Sequence, residues 1–205
     1  MSTLNVDNIN EYTTDGKVNV GHDIKLASGK SVLNSDSKNI TSQVHIGTHS
    51  VSGSQLQLDN VFSADFDHYM LLLQVDTGNT CNIRFRSGGS PDTSNAYISQ
   101  LHYVYAGASS STGVDRSNNT SSGRFSWSSS GSNHSTGTVA YIHNPFTSGQ
   151  RTTYNCIGYT YWYNGGAYTL RHDISGVCHN TTSFDGFEFT PTSATLEVQI
   201  YGMVK

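Results

Sequence analysis

The chain contains 205 residues, with 11 lysine and arginine residues against 15 aspartate and glutamate residues, and its formal net charge at pH 7 is −4. Because it lacks the basic excess that recognition of a phosphate backbone requires, nucleic acid is not expected as a partner. The longest uninterrupted apolar run, Tyr69 to Leu73, is far shorter than the roughly 20 residues that cross a bilayer as a helix. Membrane insertion is therefore not expected either.

Residues 1–40 are predicted to form a short segment of very small strands. Apolar and polar residues alternate there in runs of two or three, separated by turn signals such as Asp15-Gly16 and Ser28-Gly29. Such a segment cannot bury its apolar side chains alone, and a copy of itself around a symmetry axis is the economical partner. The apolar residues of these runs are Leu4, Val6, Ile9, Val18, Val20, Ile24 and Leu26.

Residues 41–205 are predicted to form one all-β domain. From about Gln43 the alternation lengthens into strand-sized runs, and no window shows an apolar stripe with the 3.6-residue period of a helix. One face of the first long run carries Tyr69, Leu71, Leu73 and Val75, and one face of the next carries Cys81, Ile83 and Phe85, opposite Arg84 and Arg86. Eight or nine such strands predict an antiparallel β-sandwich of jelly-roll type, with an orthogonal barrel as the alternative.

Two long polar stretches, residues 107–123 and 128–137, are predicted to be loops. Loops of this length inside a compact β domain are usually functional or mobile. The first contains the charged residues Asp115 and Arg116 together with Asn118 and Asn119. Since recognition sites often lie on surface loops, these four residues are candidate ligand-binding residues, with a mobile connector as the alternative.

The densest aromatic stretch runs from Tyr159 to Tyr163. Alternation places its three tyrosines on one face and Trp162 on the other, so one face is expected to belong to the core or to a subunit interface. Rigid aromatic side chains with polar tips also make good binding platforms, because they bury a large area and lose little conformational entropy. A glycan-binding interpretation places Tyr161, Tyr163 or Trp127 at an exposed groove.

Cysteine and histidine spacing predicts neither disulfides nor a metal site. Cys81, Cys156 and Cys178 are odd in number and widely spaced, which favours buried free thiols. Nine histidines are present, and His45 and His49 are expected to share a strand face, but no cluster offers the four tetrahedral ligands of a structural zinc ion. No metal or other cofactor is expected.

Enzymatic activity is not expected, and no catalytic residue is assigned. Glycan cleavage would require two carboxylates about 5–10 Å apart, one of them with a raised pKa. Asp65 and Asp67 share a strand face at most, and Asp173, Asp185 and Glu188 are interpreted as solvated carboxylates near strand ends. No Gly-x-Ser-x-Gly nucleophile motif is present.

Several segments carry a resemblance to known proteins. Residues 1–9, 18–21 and 24–32 resemble the N-terminal segments of virion appendage proteins of tailed phages, particularly those of marine cyanobacteria. The runs 69–75, 83–85 with 87–90, and 96–98 resemble the β-sandwich heads of some such fibres. The resemblance implies a homotrimer whose residues 1–40 form a stem that docks on other virion proteins of the capsid, neck or tail. Its head would bind a host-surface receptor or glycan.

Three functional classes remain open at this point. The favoured one is a non-enzymatic fibre of the virion, assembled in the host cytoplasm, since the opening residues show no signal peptide. The second is a capsid-decorating head fibre or cement protein without a receptor role. The third, a tailspike-like polysaccharide depolymerase, is disfavoured by the scarcity of carboxylates. Fibre tips that hold metal ions through His-x-His pairs are a further comparison, and this sequence contains no such pair.

Overall fold

The computed structural model of the chain describes residues 43–203, with gaps at 54, 77–79, 107–109, 128–134, 164–166 and 192–193. The predicted stem, with Leu4, Val6, Ile9, Val18, Val20, Ile24 and Leu26, and its boundary with the head lie outside the described residues. No helix long and apolar enough to span a membrane occurs in the described part.

The described residues form strands and no helix, which confirms the prediction of an all-β fold. The strands are β1 Gln43–Gly53, β2 Leu56–Leu58, β3 His68–Asp76, β4 Cys81–Ser87, β5 Ser90–Pro91, β6 Tyr97–Ala106, β7 Ser111–Thr120, β8 Gly123–Ser126, β9 Ser135–His143, β10 Thr152–Tyr163, β11 Ala167–Cys178, β12 Gly186–Pro191 and β13 Ala194–Met203. Several of these are too short to stand out in the sequence, which is why fewer strands are predicted than found.

Two antiparallel sheets pack as a sandwich, as predicted. The larger sheet has the order β1-β13-β3-β9-β10-β11-β6-β7, and the smaller has the order β2-β12-β4-β5 with β8 also paired to β4. The predicted apolar faces of β3 and β4 are both buried between them. On β13 the same alternation buries Leu196, Val198 and Ile200. Because side chains alternate along each strand, the larger sheet keeps its opposite face towards solvent.

The first predicted loop is wrong, because most of it is strand β7. This strand is the edge of the larger sheet and pairs along its length with β6. Its residues are exposed or half-buried on both faces, so neither face needs apolar side chains. A polar edge strand therefore lacks the alternation by which sequence identifies strands. The second predicted loop also ends early, since β9 begins at Ser135.

A β-bulge in β1 shows that the prediction of His45 and His49 on one strand face is wrong. The register of β1 against β13 shifts between His45 and Gly47, and the inserted residue reverses which side chains face outward. His45 is exposed and accepts or donates a hydrogen bond with the Thr48 hydroxyl at 3.1 Å, whereas His49 is half-buried. The two histidines therefore lie on opposite faces.

Candidate functional site

The outer face of the larger sheet contains a row of side chains fixed by strand register. Glu197 on β13 pairs with Gln74 on β3, Gln74 with Gly137 on β9, Gly137 with Tyr159 on β10, and Tyr159 with Arg171 on β11. Cross-strand neighbours in a sheet stand about 4.5–5.5 Å apart. The row consequently places an acid, an amide, a gap, an aromatic ring and a base side by side on rigid backbone.

The gap in this row is a hollow of about 630 Å³. We call it the Gly137 hollow; it is lined by Leu72, Leu73, Gln74, Gly137, Thr138, Val139, Tyr159, Glu197 and Gln199. A Cβ atom built on Gly137 would meet no atom within 4 Å, so the floor of the hollow is open at this position. Bulkier neighbours form its walls.

Apolar groups are unusually exposed around the hollow. Tyr159 is 60% exposed, and Val139 and Ile157 are 39% and 41% exposed. Register places Leu72, Val139 and Ile157 in one row across β3, β9 and β10. Contiguous exposed apolar surface on a soluble domain commonly marks an interaction site.

The polar side chains of the hollow present mainly hydrogen-bond acceptors. The Gln74 Nε2 amide donates to Asp76 Oδ1 at 3.1 Å, which leaves the Gln74 carbonyl oxygen for another partner. Gln199 Oε1 accepts from the Tyr201 hydroxyl at 3.0 Å, which leaves its amide NH₂ as a donor. The lining contains one carboxylate, Glu197, and no basic side chain.

Arg171, at the end of the row, is the nearest base in register with Tyr159. Its Nη2 lies 3.2 Å from Asp173 Oδ1, and both side chains are more than a third exposed. Asp173 partly offsets the charge of Arg171. Arg171 does not line the hollow, so the hollow itself has no positive group. The hollow therefore suits a ligand with hydroxyl donors and disfavours an anionic one.

The predicted platform residues do not form one site. Trp127 follows β8 and packs against the core, with its ring centroid 4.7 Å from that of Tyr103 and 6.4 Å from that of Tyr105. It is half-buried on the inner side of the sandwich, away from Tyr159, and its assignment to a ligand groove stays a prediction. Tyr161 and Tyr163 lie in β10 beyond Tyr159, but their side chains lie outside the described part.

The four candidate residues of the first predicted loop lie on β7 and are also separated. Asp115 pairs with Leu101, whose side chain is buried, while Arg116 pairs with the exposed Gln100, so the two charges point to opposite faces. Asp115 Oδ2 lies 2.9 Å from Arg124 Nη1. This guanidinium, and secondly the backbone N–H of Arg116, hold the pKa of Asp115 below its usual value. Asn118 and Asn119 occupy an irregular stretch, and Asn119 has a φ of 54°.

Glu188 is not the solvated carboxylate that its position suggested. It is fully buried in β12, where its carboxylate accepts hydrogen bonds from Arg84 at 3.2 Å, Arg86 at 2.8 Å and Gln55 at 2.9 Å. Arg86, 4% exposed, also binds Asp59 at 2.7 Å, and this contact raises the pKa of the Arg86 guanidinium. We call these five side chains the Glu188 network. The Glu188 carboxylate therefore already accepts hydrogen bonds from three side chains.

Three cysteines and one histidine are titratable groups buried within the described part. Cys81, Cys156 and Cys178 are free and buried, as predicted, and burial raises the pKa of each thiol. His172 is fully buried with no hydrogen-bond partner on either ring nitrogen, and burial lowers its pKa to about 4. No group of three or more His, Cys, Asp or Glu side chains among the described residues is placed to hold a metal ion.

Sequence reasoning missed the residues of the Gly137 hollow. In the sequence Tyr159 is only the first member of the aromatic run, and Gln74, Gly137 and Glu197 belong to no motif. Gln74, Gly137 and Glu197 lie on three strands and are at least 60 residues apart in the sequence, and only the pairing of β3 with both β9 and β13 brings them together. The one usable signal was a glycine within a strand-like run, which can mark close approach of a ligand.

Comparisons with protein-family models, with curated proteins and with solved structures find no match to this chain. The functional proposal accordingly depends on the geometry of the described residues and on the resemblance carried by short segments of the sequence.

Proposed function

We propose that the described β-sandwich is the non-enzymatic binding head of a phage virion fibre, and that it binds a host-surface glycan in the Gly137 hollow. The observation that carries the proposal is Tyr159, which is 60% exposed and borders the open space above Gly137. An exposed tyrosine on a rigid central strand costs little conformational entropy when it is covered by a ligand.

The chemistry of the hollow matches that of a neutral sugar. Pyranose rings have an apolar C–H face, which the Tyr159 ring can cover, and a rim of hydroxyl groups, which the Gln74 carbonyl and the Glu197 carboxylate can accept from. Ligand sites typically combine apolar walls with a few polar groups that fix orientation. A sulfated sugar would place its charge beside Glu197 without a compensating base, and burying such a charge is costly.

The rest of the proposal concerns the assembly. We infer from the resemblance that the chain is a homotrimer that docks on the particle through residues 1–40. Light scattering coupled to gel filtration should give a mass near three times the chain mass of 22.2 kDa. Deleting residues 1–40 should abolish attachment to virions while the head retains its β-sheet circular dichroism spectrum. A monomeric full-length chain, or normal incorporation of the truncated chain into particles, would contradict the fibre assignment.

Glycan binding is tested with variants that change the hollow and leave the fold intact. Full-length protein is passed over immobilised dextran, mannan and galactan, with dextran sulfate as the anionic comparison. Gly137→Val fills the hollow from its floor, and Tyr159→Ala removes the aromatic wall. Val114→Ala, on edge strand β7 of the same sheet, is the matched control, because Val114 is 64% exposed and does not line the hollow.

We expect retention on at least one neutral polysaccharide, a loss of tenfold or more in both hollow variants, and no change in the control. Each tenfold loss corresponds to about 1.4 kcal/mol of binding free energy. Equal retention of the parent and both hollow variants would reject the site. No retention on any neutral matrix, or stronger retention on dextran sulfate, would count against a neutral glycan ligand.

A further inference from the structure

Two histidines face each other on the outer face of the larger sheet, six residues along β9 from Gly137. His68 on β3 pairs directly with His143 on β9, and their Nδ1 atoms lie 3.1 Å apart. At about 3.4 Å per residue along β9, His143 lies roughly 20 Å from Gly137. We propose that His68 and His143 bind one divalent transition-metal ion through their Nδ1 atoms, with water completing the coordination shell.

The spacing of the two nitrogens fits a shared metal ion. With bonds of about 2.0–2.1 Å from each imidazole nitrogen, a separation of 3.1 Å sets an angle of about 100° at the metal. This value lies between the cis angle of a square or octahedral shell and the tetrahedral angle. β3 and β9 are central strands with neighbours on both sides, so the backbone holds the two rings in position without a metal.

A third residue orients His143. Its Nε2 lies 3.3 Å from Asn155 Oδ1 on the neighbouring strand β10. An amide oxygen accepts only, so this contact places the proton of His143 on Nε2 and leaves the lone pair on Nδ1, where it faces His68. Metal-binding histidines usually donate their second ring N–H in this way. Asn155 is therefore a positioning residue of the proposed site.

Proton balance follows from these tautomers. In the metal-free pair, the Nδ1–H of His68 donates to the Nδ1 lone pair of His143. When the ion binds, the proton of the exposed His68 transfers through water from Nδ1 to Nε2, so both Nδ1 atoms become ligands and the neutral pair releases no net proton.

The donor set selects the class of ion. Two imidazoles without thiolate favour copper, nickel and zinc over calcium or magnesium, which prefer oxygen ligands, and Cu²⁺ should bind most tightly of the three. Two protein ligands rather than three or four predict an exchangeable site with open coordination positions, in contrast to a closed structural zinc site.

The test titrates Cu²⁺ into the full-length protein by calorimetry and records the electron paramagnetic resonance spectrum of the complex. His143→Gln removes one ligand, Asn155→Ala removes the orienting acceptor, and His102→Gln is the matched control. His102 is an exposed histidine on β6 of the same sheet. All three positions are outside the core, so the variants should fold.

We expect a Cu²⁺ spectrum with two equivalent nitrogen ligands in the parent and in His102→Gln. His143→Gln should weaken binding at this site more than tenfold and give a one-nitrogen spectrum, and Asn155→Ala should weaken it about 10–100-fold while keeping two nitrogens. Indistinguishable affinity and spectra of the parent and His143→Gln would overturn the proposal. Binding in which Asn155→Ala has no effect would overturn the assigned role of Asn155.

Discussion

Removing the charge of Glu188 should strongly destabilise the domain. Glu188→Gln keeps the shape of the side chain but leaves Arg86, 4% exposed, without its buried partner and Arg84 without its carboxylate. Breaking a buried ion pair by changing one partner costs about 3–5 kcal/mol when the other charge is left uncompensated. Arg86 keeps its contact with Asp59, so we expect a loss of about 3 kcal/mol, at the lower end of this range. At about 2–4 °C per kcal/mol for a chain of this size, the midpoint of thermal unfolding should fall by roughly 6–12 °C.

The assay is urea unfolding followed by circular dichroism, with Asp173→Asn as the matched control. Asp173 forms an ion pair with Arg171 in which both side chains are exposed, so its loss should cost less than about 1 kcal/mol. The double variant Arg86→Met with Glu188→Met should be less destabilised than Glu188→Gln, since it removes both charges of the shortest contact to Glu188. A Glu188→Gln variant as stable as Asp173→Asn would refute the view that this network is buried and coupled.

Three further results are expected. Burial lowers the pKa of His172 to about 4, so between about pH 6.5 and 4 the unfolded chain takes up a proton that the folded chain does not. The free energy of unfolding should therefore fall as the pH drops below about 6.5, by about 2 kcal/mol at pH 5 from this group alone. In urea titrations, His172→Leu should lack this contribution to the pH dependence of stability. Gly137→Ala should unfold at or above the parent temperature, because the space above Gly137 is open. Gly158→Ala should lose about 1–3 kcal/mol of unfolding free energy, since its Cβ would clash with His172 Nε2 and lie 2.7 Å from the Thr138 hydroxyl. Equal shifts of the two unfolding temperatures would contradict the described packing. Ellman's reagent should label no thiol of the folded chain and three per chain after unfolding, because Cys81, Cys156 and Cys178 are buried and protonated at neutral pH; rapid labelling of the native protein would contradict this.

Sequence predicted the strands that bury one face and missed those that do not. Tyr69, Leu71, Leu73 and Val75 alternate with less buried neighbours because β3 is central and half-buried, and this pattern is what period-2 reasoning detects. The edge strand β7 is solvated on both faces, so its composition is that of a loop. The bulge in β1 shifts its register against β13 by one residue, and no local sequence pattern predicts it.

The candidate site could not be predicted from the sequence, because it depends on which strands pair and in which register. Alternation correctly put Arg84 and Arg86 on the face of β4 opposite Phe85, but it could not show that Glu188 of β12 covers that face. In the same way, Gln74, Gly137 and Tyr159 are ordinary residues until the register of β3, β9 and β10 aligns them. The pairing of strands that are distant in the sequence forms both the Glu188 network and the Gly137 hollow, and a single sequence gives little evidence of this pairing.

The exposed patch around Tyr159 could serve a ligand or a second copy of the chain, and the two roles predict different behaviour of one variant. If the patch were the subunit interface of a trimer, Tyr159→Ala would remove a large buried side chain from each contact, and light scattering would show dissociation on dilution. The proposed glycan site requires the opposite result, an unchanged mass with weaker retention on a neutral polysaccharide. We expect the unchanged mass, because the hollow over Gly137 is lined by groups that can still accept hydrogen bonds, the Gln74 carbonyl oxygen and the Glu197 carboxylate among them. Burying each of these groups without a partner in a subunit interface would cost about 1–3 kcal/mol of desolvation free energy. Dissociation of the Tyr159→Ala variant would therefore show that this face is a subunit interface and would contradict the proposed glycan site.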